Sequence, residues 1–306
     1  MEIPIFKCRA SCGGKIMTDA KGKSNLEIYN DAVETLEKKK TQLLGFKNQE
    51  CKTAVSIRTE QIPKLEKLIP ELEKLKSKVK LSETTIQYLR EWIIERKYGR
   101  RKEFTTKHTV KGNTTEQDGF KLIQDVVFDG KVFMSKSKSF YEDEYFTGNL
   151  DLDLPTWVLD NKSSWNIFTF PIGETEPPDK ANEPQIRIYM RLAKKEKGSV
   201  CYTLNNTPLK LIEDECWKYA RANNIKDIED IPEEISYEIC KNHAFTTDFM
   251  RELSFIYGTF KGDFIEIPKE KRLVKFDYVR DLEIEQKIID RVLVCREWVN
   301  ENWIKF

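Results

Sequence analysis

Histidine is almost missing from this chain: His108 and His243 are the two in 306 residues, and they stand in no metal-like spacing. Histidine-based hydrolysis is therefore a weak reading. Clustered thiols are missing too. The seven cysteines (Cys8, Cys12, Cys51, Cys201, Cys216, Cys240, Cys295) are scattered and form no C-x-x-C pair. Zinc sites and iron–sulfur clusters need clustered thiolates, so neither is expected, and the cysteines read as reduced. No G-x-x-x-x-G-K-[ST] and no G-x-S-x-G occurs, which argues against P-loop and nucleophile-elbow chemistry. No apolar run nears the ~18 residues of a membrane span. The opening MEIPIFKCRA lacks the features of a signal peptide. The expectation is a soluble, cytoplasmic protein with no membrane partner. If the chain is an enzyme, carboxylates and lysines do the work.

What is present is core material and charge. Hydrophobic residues make up 39% and aromatics 11%, enough for a packed interior, while charged residues reach 34%. At ~150 residues per domain, the length suggests two domains, or one with an insertion. The net charge of +1 hides an asymmetry. Residues 1–112 hold 25 Lys and Arg against 15 Asp and Glu; residues 113–306 hold 27 against 36. The basic part suits a polyanion and the acidic part metal or acid chemistry, unless the basic excess is only solvated helix surface.

Residues 25–45 carry Leu26, Tyr29, Val33 and Leu36 at helical steps, and 64–80 carry Leu65, Leu68, Leu72, Leu75 and Val79. These predict a helical hairpin or coiled-coil insertion over 25–80, with Pro63 and Pro70 near helix starts. Ser82 can cap a helix that Gly99 ends. Its tail, with Arg96, Lys97, Arg100, Arg101 and Lys102, complements a helix dipole or a phosphate backbone equally well. A helix follows over 113–125, then VVFDGKVFM (126–134) reads as a hairpin turning at Asp129-Gly130. Strand-like runs at 144–153 and 156–162, a helix over 183–196 and the β-prone run 199–205 predict an α/β core around a mixed sheet. Residues 209–306 read as mostly helical, ending in a long helix from about 279 to 303.

The segment GNLDLDLPTWVLDNKSSW (148–165) carries the most chemistry. Asp151 ends one strand. Asp160 and Lys162 are two apart on the next and so share a face, behind the apolar Trp157, Val158 and Leu159. Such charges are costly to bury unless they meet each other or a cation. Two carboxylates supply hard oxygens for Mg²⁺, and the lysine can orient water or neutralise charge on phosphorus. Glu116 offers a third carboxylate from the preceding helix. The tripeptide [DE]-x-K is by itself uninformative, since Asp19, Glu37, Glu50 and Glu95 begin others. A surface hairpin with chance charges is the plain alternative, and Asp153 could replace Asp151 on its strand face.

D-x(8)-[DE]-x-K on adjacent strands, after an acidic residue on a helix, resembles the PD-(D/E)XK nuclease superfamily, and within it the phage-encoded YqaJ and lambda-exonuclease-like group. RASCGGKIMT (9–18), LSETTIQYL (81–89), KGNTTEQD (111–118), GNLDL (148–152), LDNKSSWNIFTF (159–170) and QIRIY (185–189) resemble that group's successive blocks. The resemblance covers most of 1–24 and 81–306 and leaves 25–80 outside. It implies a restriction-endonuclease-like α/β core, a mixed central sheet flanked by helices, with a helical insertion and a helical C-terminal region.

By the same resemblance, Asp151, Asp160 and the Asn161 carbonyl would bind Mg²⁺, with Mn²⁺ able to substitute, and Glu116 would join directly or through water. Lys162 would act on the attacking water. Arg9 and Ser11 would hold a DNA phosphate, Gln185 and Tyr189 would line the site or touch DNA, and Arg100 and Arg101 belong to the candidate DNA-binding surface. Leu150 stands where the motif has proline, and Cys12-Gly13 departs from the pattern beside Ser11. Arg9 can equally be a surface ion pair, Ser11 a helix cap, Tyr189 a core aromatic and Glu116 a solvated charge. The implied activity is a metal-dependent DNA exonuclease acting on duplex ends in phage recombination or replication. The implied partners are DNA, further copies in a ring trimer, and a single-strand annealing or replication protein. A structure-specific endonuclease or nickase, or a non-catalytic DNA- or protein-binding module, are the alternatives.

Overall fold

Ser24, Thr106, Thr246 and Asp281 each precede a helix, and each side chain accepts a hydrogen bond from a first-turn backbone N–H. Those four polar residues set where helices begin. A computed structural model describes residues 2–46, 50–102, 105–258 and 263–306. The chain separates into two units, residues 18–93 and residues 1–17 with 94–306.

In chain order, β1 (Cys8–Arg9) leads through a 3-10 turn into α1 (Gly13–Ile16). Then come α2 (Asn25–Gly45), α3 (Lys52–Ser56), α4 (Ile62–Leu75) and α5 (Glu83–Tyr98), with a π-helical turn at Ile57–Gln61. After α6 (Lys107–Thr114) and α7 (Glu116–Val127) follow β2 (Phe140–Glu142), β3 (Phe146–Asn149), β4 (Leu152–Asp153) and β5 (Trp157–Ser163). α8 (Asn182–Ala193) crosses to β6 (Lys197–Thr203), and α9 (Leu209–Ala222), α10 (Glu233–Lys241), α11 (Thr247–Tyr257), β7 (Leu273–Val279) and α12 (Leu282–Asn302) complete the chain.

Within residues 18–93, α2 packs on α4. The half-buried positions of α4 are Ile62, Leu65, Ile69 and Leu72, whereas Leu68, Leu75 and Val79 are exposed. The expected seam is thus shifted by one residue along the helix surface, and the helix stops at Leu75. Pro70 lies inside α4 rather than at a start.

In the other unit, the expected mixed sheet is realised as two. One has the order β1-β3-β2, with β1 parallel and β2 antiparallel to β3. The other has the order β4-β5-β6-β7, in which only β5 and β6 run parallel. The parallel pair is joined through α8, as a parallel connection requires. Alternation along β5 sends Leu159 toward α7, into a cluster with Phe120, Ile123, Leu152 and Cys201. It sends Asp160 and Lys162 toward α8. A separate core of Ile212, Cys216, Ala220, Cys240, Met250 and Leu253 holds α9, α10 and α11 together. All seven cysteines are free thiols.

Three expectations are corrected. The hairpin at 126–134 does not form. Asp129 and Gly130 both take positive φ, as a hairpin turn would require, but they end α7 instead, with Gly130 N bonded to Gln124 O. The helix expected over 113–125 is broken at Thr115 into α6 and α7. The strand β7, inside a region read as helical, pairs with β6 over all seven of its residues.

Candidate active site

Leu152 and Asp153 pair with Leu159 and Val158. Continuing that antiparallel register by one residue sets Asp151 opposite Asp160, on the same face, where like charges repel. β4 begins only at Leu152, so among the described residues this edge of β5 has no strand partner beyond Leu159. Asp151 fills the gap, with Oδ2 accepting from the backbone N–H of Asn161 at 3.0 Å. Burial, and then the charge of Asp160, raise the Asp151 carboxyl to about 7.

Asp160 is 2% exposed. Its Oδ1 accepts from Gln185 Nε2 at 3.1 Å, and its Oδ2 is buried without a hydrogen bond, though Lys162 Nζ lies 2.8 Å away as an ionic partner. Lys162 also donates to Gln185 Oε1 at 3.1 Å, and the Gln185 amide reaches the Tyr189 hydroxyl at 3.2 Å. One glutamine on α8 thus fixes the acid, the ammonium and the phenol. Burial is the largest influence on Lys162 and favours its neutral form, but Asp160 outweighs it, and the net shift is upward. Burial, with the nearby Asp160 charge, raises the Tyr189 phenol.

These groups line a cleft of about 830 Å³, together with Ser11 and Lys15 from the N-terminal turns, Glu116, Lys136, and His108 and Thr109 from α6. Two glycines allow its walls to close. A Cβ on Gly119 would come within 2.4 Å of the Asn161 side chain, and one on Gly14 within 2.4 Å of Ala181 Cβ.

The expected residues divide clearly. Asp151, Asp160, Asn161, Lys162, Glu116, Ser11, Gln185 and Tyr189 all line the cleft. Glu116, at the first position of α7, is bound by Lys136 at 2.6 Å. Ser11 is exposed in the 3-10 turn and makes no capping bond. Tyr189 is both a buried aromatic and a cleft wall. Arg9 is not in the cleft wall, and its guanidinium grips both Glu95 oxygens at 2.5 and 2.6 Å. Arg100 and Arg101 are exposed beyond α5, outside the cleft. Asp153 is turned away, bonded to the Tyr141 hydroxyl and paired with Lys195 at 3.3 Å, so Asp151, just before β4, is the aspartate that faces the cleft.

Sequence reasoning did not find Lys136, Asn182 or Tyr202. Lys136 lies two residues past the segment misread as a hairpin, in a stretch with no regular pattern. Asn182 stands three residues before Gln185 and donates to the Tyr202 hydroxyl at 2.7 Å, so helical spacing from Gln185 was the available signal.

Among the described residues, no three carboxylate, imidazole or thiol side chains converge as a ready metal cluster. Asp151 and Asp160 nevertheless suit a hard divalent cation. They are two mutually repelling carboxylates, Asp151 half-buried and Asp160 buried with an oxygen that accepts no hydrogen bond.

No family model and no curated protein matches this sequence. Solved structures do. A phage-related exonuclease from Haemophilus somnus 129PT aligns with a TM-score of 0.56 and 21% identity, over 97% of this chain and 95% of that one. An alkaline exonuclease from Laribacter hongkongensis, solved alone and with dAMP, aligns with a TM-score of 0.46 and 10% identity over 73% of this chain and 84% of that one. The α/β nuclease-like fold expected from the sequence is the fold of this chain, shared over nearly its whole length with the Haemophilus somnus phage-related exonuclease.

Proposed function

We propose that this protein is a divalent-metal-dependent deoxyribonuclease, an exonuclease acting on duplex ends in phage recombination or replication. The observation that carries it is the half-buried Asp151 set against the buried Asp160, with Lys162 beside them. Asp151, Asp160 and the Asn161 carbonyl would hold the cation, and Glu116, already engaged by Lys136, would contribute through water. When bound there, Mg²⁺, or Mn²⁺ in its place, supplies charge neutralisation at the phosphoryl group and water of lowered pKa.

The chain's own residues do the rest. Lys162 is held by its ion pair with Asp160 and its hydrogen bond to Gln185, and a remaining N–H can reach a phosphoryl oxygen or orient the attacking water. Gln185 keeps Asp160 and Lys162 aligned. Ser11, Lys15 and Tyr189 offer donors to the DNA backbone, and Arg100 and Arg101 add sequence-independent attraction. Arg9 would have to exchange Glu95 for a phosphate to take part. By resemblance, polarity is 5′ to 3′, the assembly a ring trimer, the partner a single-strand annealing or replication protein, and the location the cytoplasm. Residues 25–80 are an insertion in the nuclease domain.

The test is one gel. End-labelled linear DNA should be degraded with Mg²⁺ and survive with chelator, while closed circles remain intact. Nicked circles would point to an endonuclease, and intact linear DNA under every divalent metal would refute the hydrolytic reading.

A further inference from the structure

We infer that a second pocket beside the cleft, walled by Trp165, Phe168, Tyr219 and His243, binds an unpaired nucleobase of a DNA strand lying in the cleft. The inference rests on the nuclease reading only in that a strand must reach the cleft.

The pocket encloses about 390 Å³, the scale of a site for a small planar ligand. Its aromatic walls come from separate parts of the chain. Trp165 is buried, and the rings of His108 and His243 stand edge-on to it at 5.2 and 5.1 Å. Phe168, on the 3-10 turn after β5, is 81% exposed and closes no core. A large apolar ring held in water beside an aromatic pocket offers a stacking surface that any base can use.

Two features tie the pocket to the cleft. His108 lines the cleft and is also the edge-on neighbour of Trp165, so one aromatic wall separates the two spaces. Trp165 follows Lys162 by three residues, about 10 Å of extended chain. A strand whose phosphate lies at Lys162 therefore reaches the pocket within a few nucleotides.

The rim suits the charge of such a strand. Lys107 lies over the Trp165 ring at 4.4 Å, and it shares the single carboxylate of Glu215 with Lys218, at 2.7 and 3.6 Å respectively. Two ammonium groups on one carboxylate leave the rim positive. The Asn242 carboxamide in the wall can meet a base edge. His243 stays uncharged at neutral pH, since burial and then Lys111 lower it to about 4, so it presents a neutral ring.

The probe is a single-stranded oligonucleotide carrying 2-aminopurine, titrated in chelator so that no hydrolysis intervenes. Wild-type protein should quench the probe by stacking. Phe168→Ala should weaken binding roughly 5- to 100-fold, the worth of one stacked base, and abolish the quench, while Phe168→Tyr restores both. An unchanged circular dichroism spectrum shows that Phe168→Ala folds. Affinity and quench equal to wild type in Phe168→Ala would overturn the proposal. Phe168-dependent binding without any cleavage would sink the nuclease reading alone. Cleavage with Phe168-independent binding would sink the pocket alone.

Discussion

Lys111 carries its ammonium into the interior, where it donates to the Trp165 carbonyl at 2.8 Å, faces the Phe245 ring and acts on the His243 imidazole. Among the described residues no carboxylate pairs with it. Burial lowers it to about 7 from the usual 10.5. The unfolded chain therefore binds more protons than the native one between pH 7 and 10.5, and stability should rise with pH across that window. Lys111→Met should remove the rise, which is on the order of a few kcal/mol, and leave the protein at pH 7 as stable as wild type or more so. Denaturant unfolding at pH 7 and 9.5 checks this, and parallel changes in the two proteins would contradict it. At the cleft, on the proposed reading of Asp160 as a cation ligand that makes no phosphate contact, Asp160→Ala should cost at least about 10³-fold in turnover while DNA binding survives. Lys162→Ala should lower turnover with little change in metal affinity, and a large loss of Mn²⁺ binding would show that it serves the cation site instead. Asp160 and Lys162 were legible because a strand's period of two puts them on one face, and Asp151 because it stands at the strand end opposite Asp160. Lys136 was not, because its approach to Glu116 depends on how an irregular segment folds back, and no local pattern encodes that.

At the scale of elements, capping and periodicity carried most of the information. Ser82 marked the start of α5 and the apolar steps from Leu26 to Leu36 marked α2, and both helices form there. Asp129-Gly130 misled because residues that tolerate positive φ end helices as readily as they turn hairpins. β7 was missed because its pairing with β6 is decided seventy residues away. Two glycines test how tightly the elements around the cleft must fit. Gly119 lets α7 approach Asn161, whose Oδ1 accepts from Thr203 at 2.9 Å. Gly119→Ala should force that side chain aside, cost about 1–3 kcal/mol, and lower turnover through the shifted Asn161 backbone. Gly112, in α6, has no neighbour where a Cβ would go, so Gly112→Ala should leave stability unchanged or raise it by up to about 1 kcal/mol. Equal melting temperatures for the two variants would mean that α7 adapts freely and that the close approach has no structural role.

For the whole molecule, the helical excursion over residues 25–80 can be weighed by how it leaves and returns. Asn25 Nδ2 donates to the Lys78 carbonyl at 2.9 Å, and Lys80 Nζ donates to the carbonyls of Lys21 and Lys23 at 3.0 Å each. The two ends of a stretch of more than fifty residues are thus tied at one place, as they are in segments inserted into an existing fold. Closing such a gap with a short flexible linker carries only a small entropic cost, since loop closure depends weakly on length. Replacing residues 25–80 with a Gly/Ser linker should therefore leave residues 1–17 and 94–306 folded. Hydrolysis of short duplex DNA should stay within about tenfold of wild type, because every cleft residue lies outside the excised stretch. Circular dichroism and a labelled 20-base-pair substrate give the two readouts. An unfolded product would show instead that α2 and α4 supply stability the nuclease fold needs. A folded but inactive product would place part of the catalytic or DNA-binding machinery on those helices.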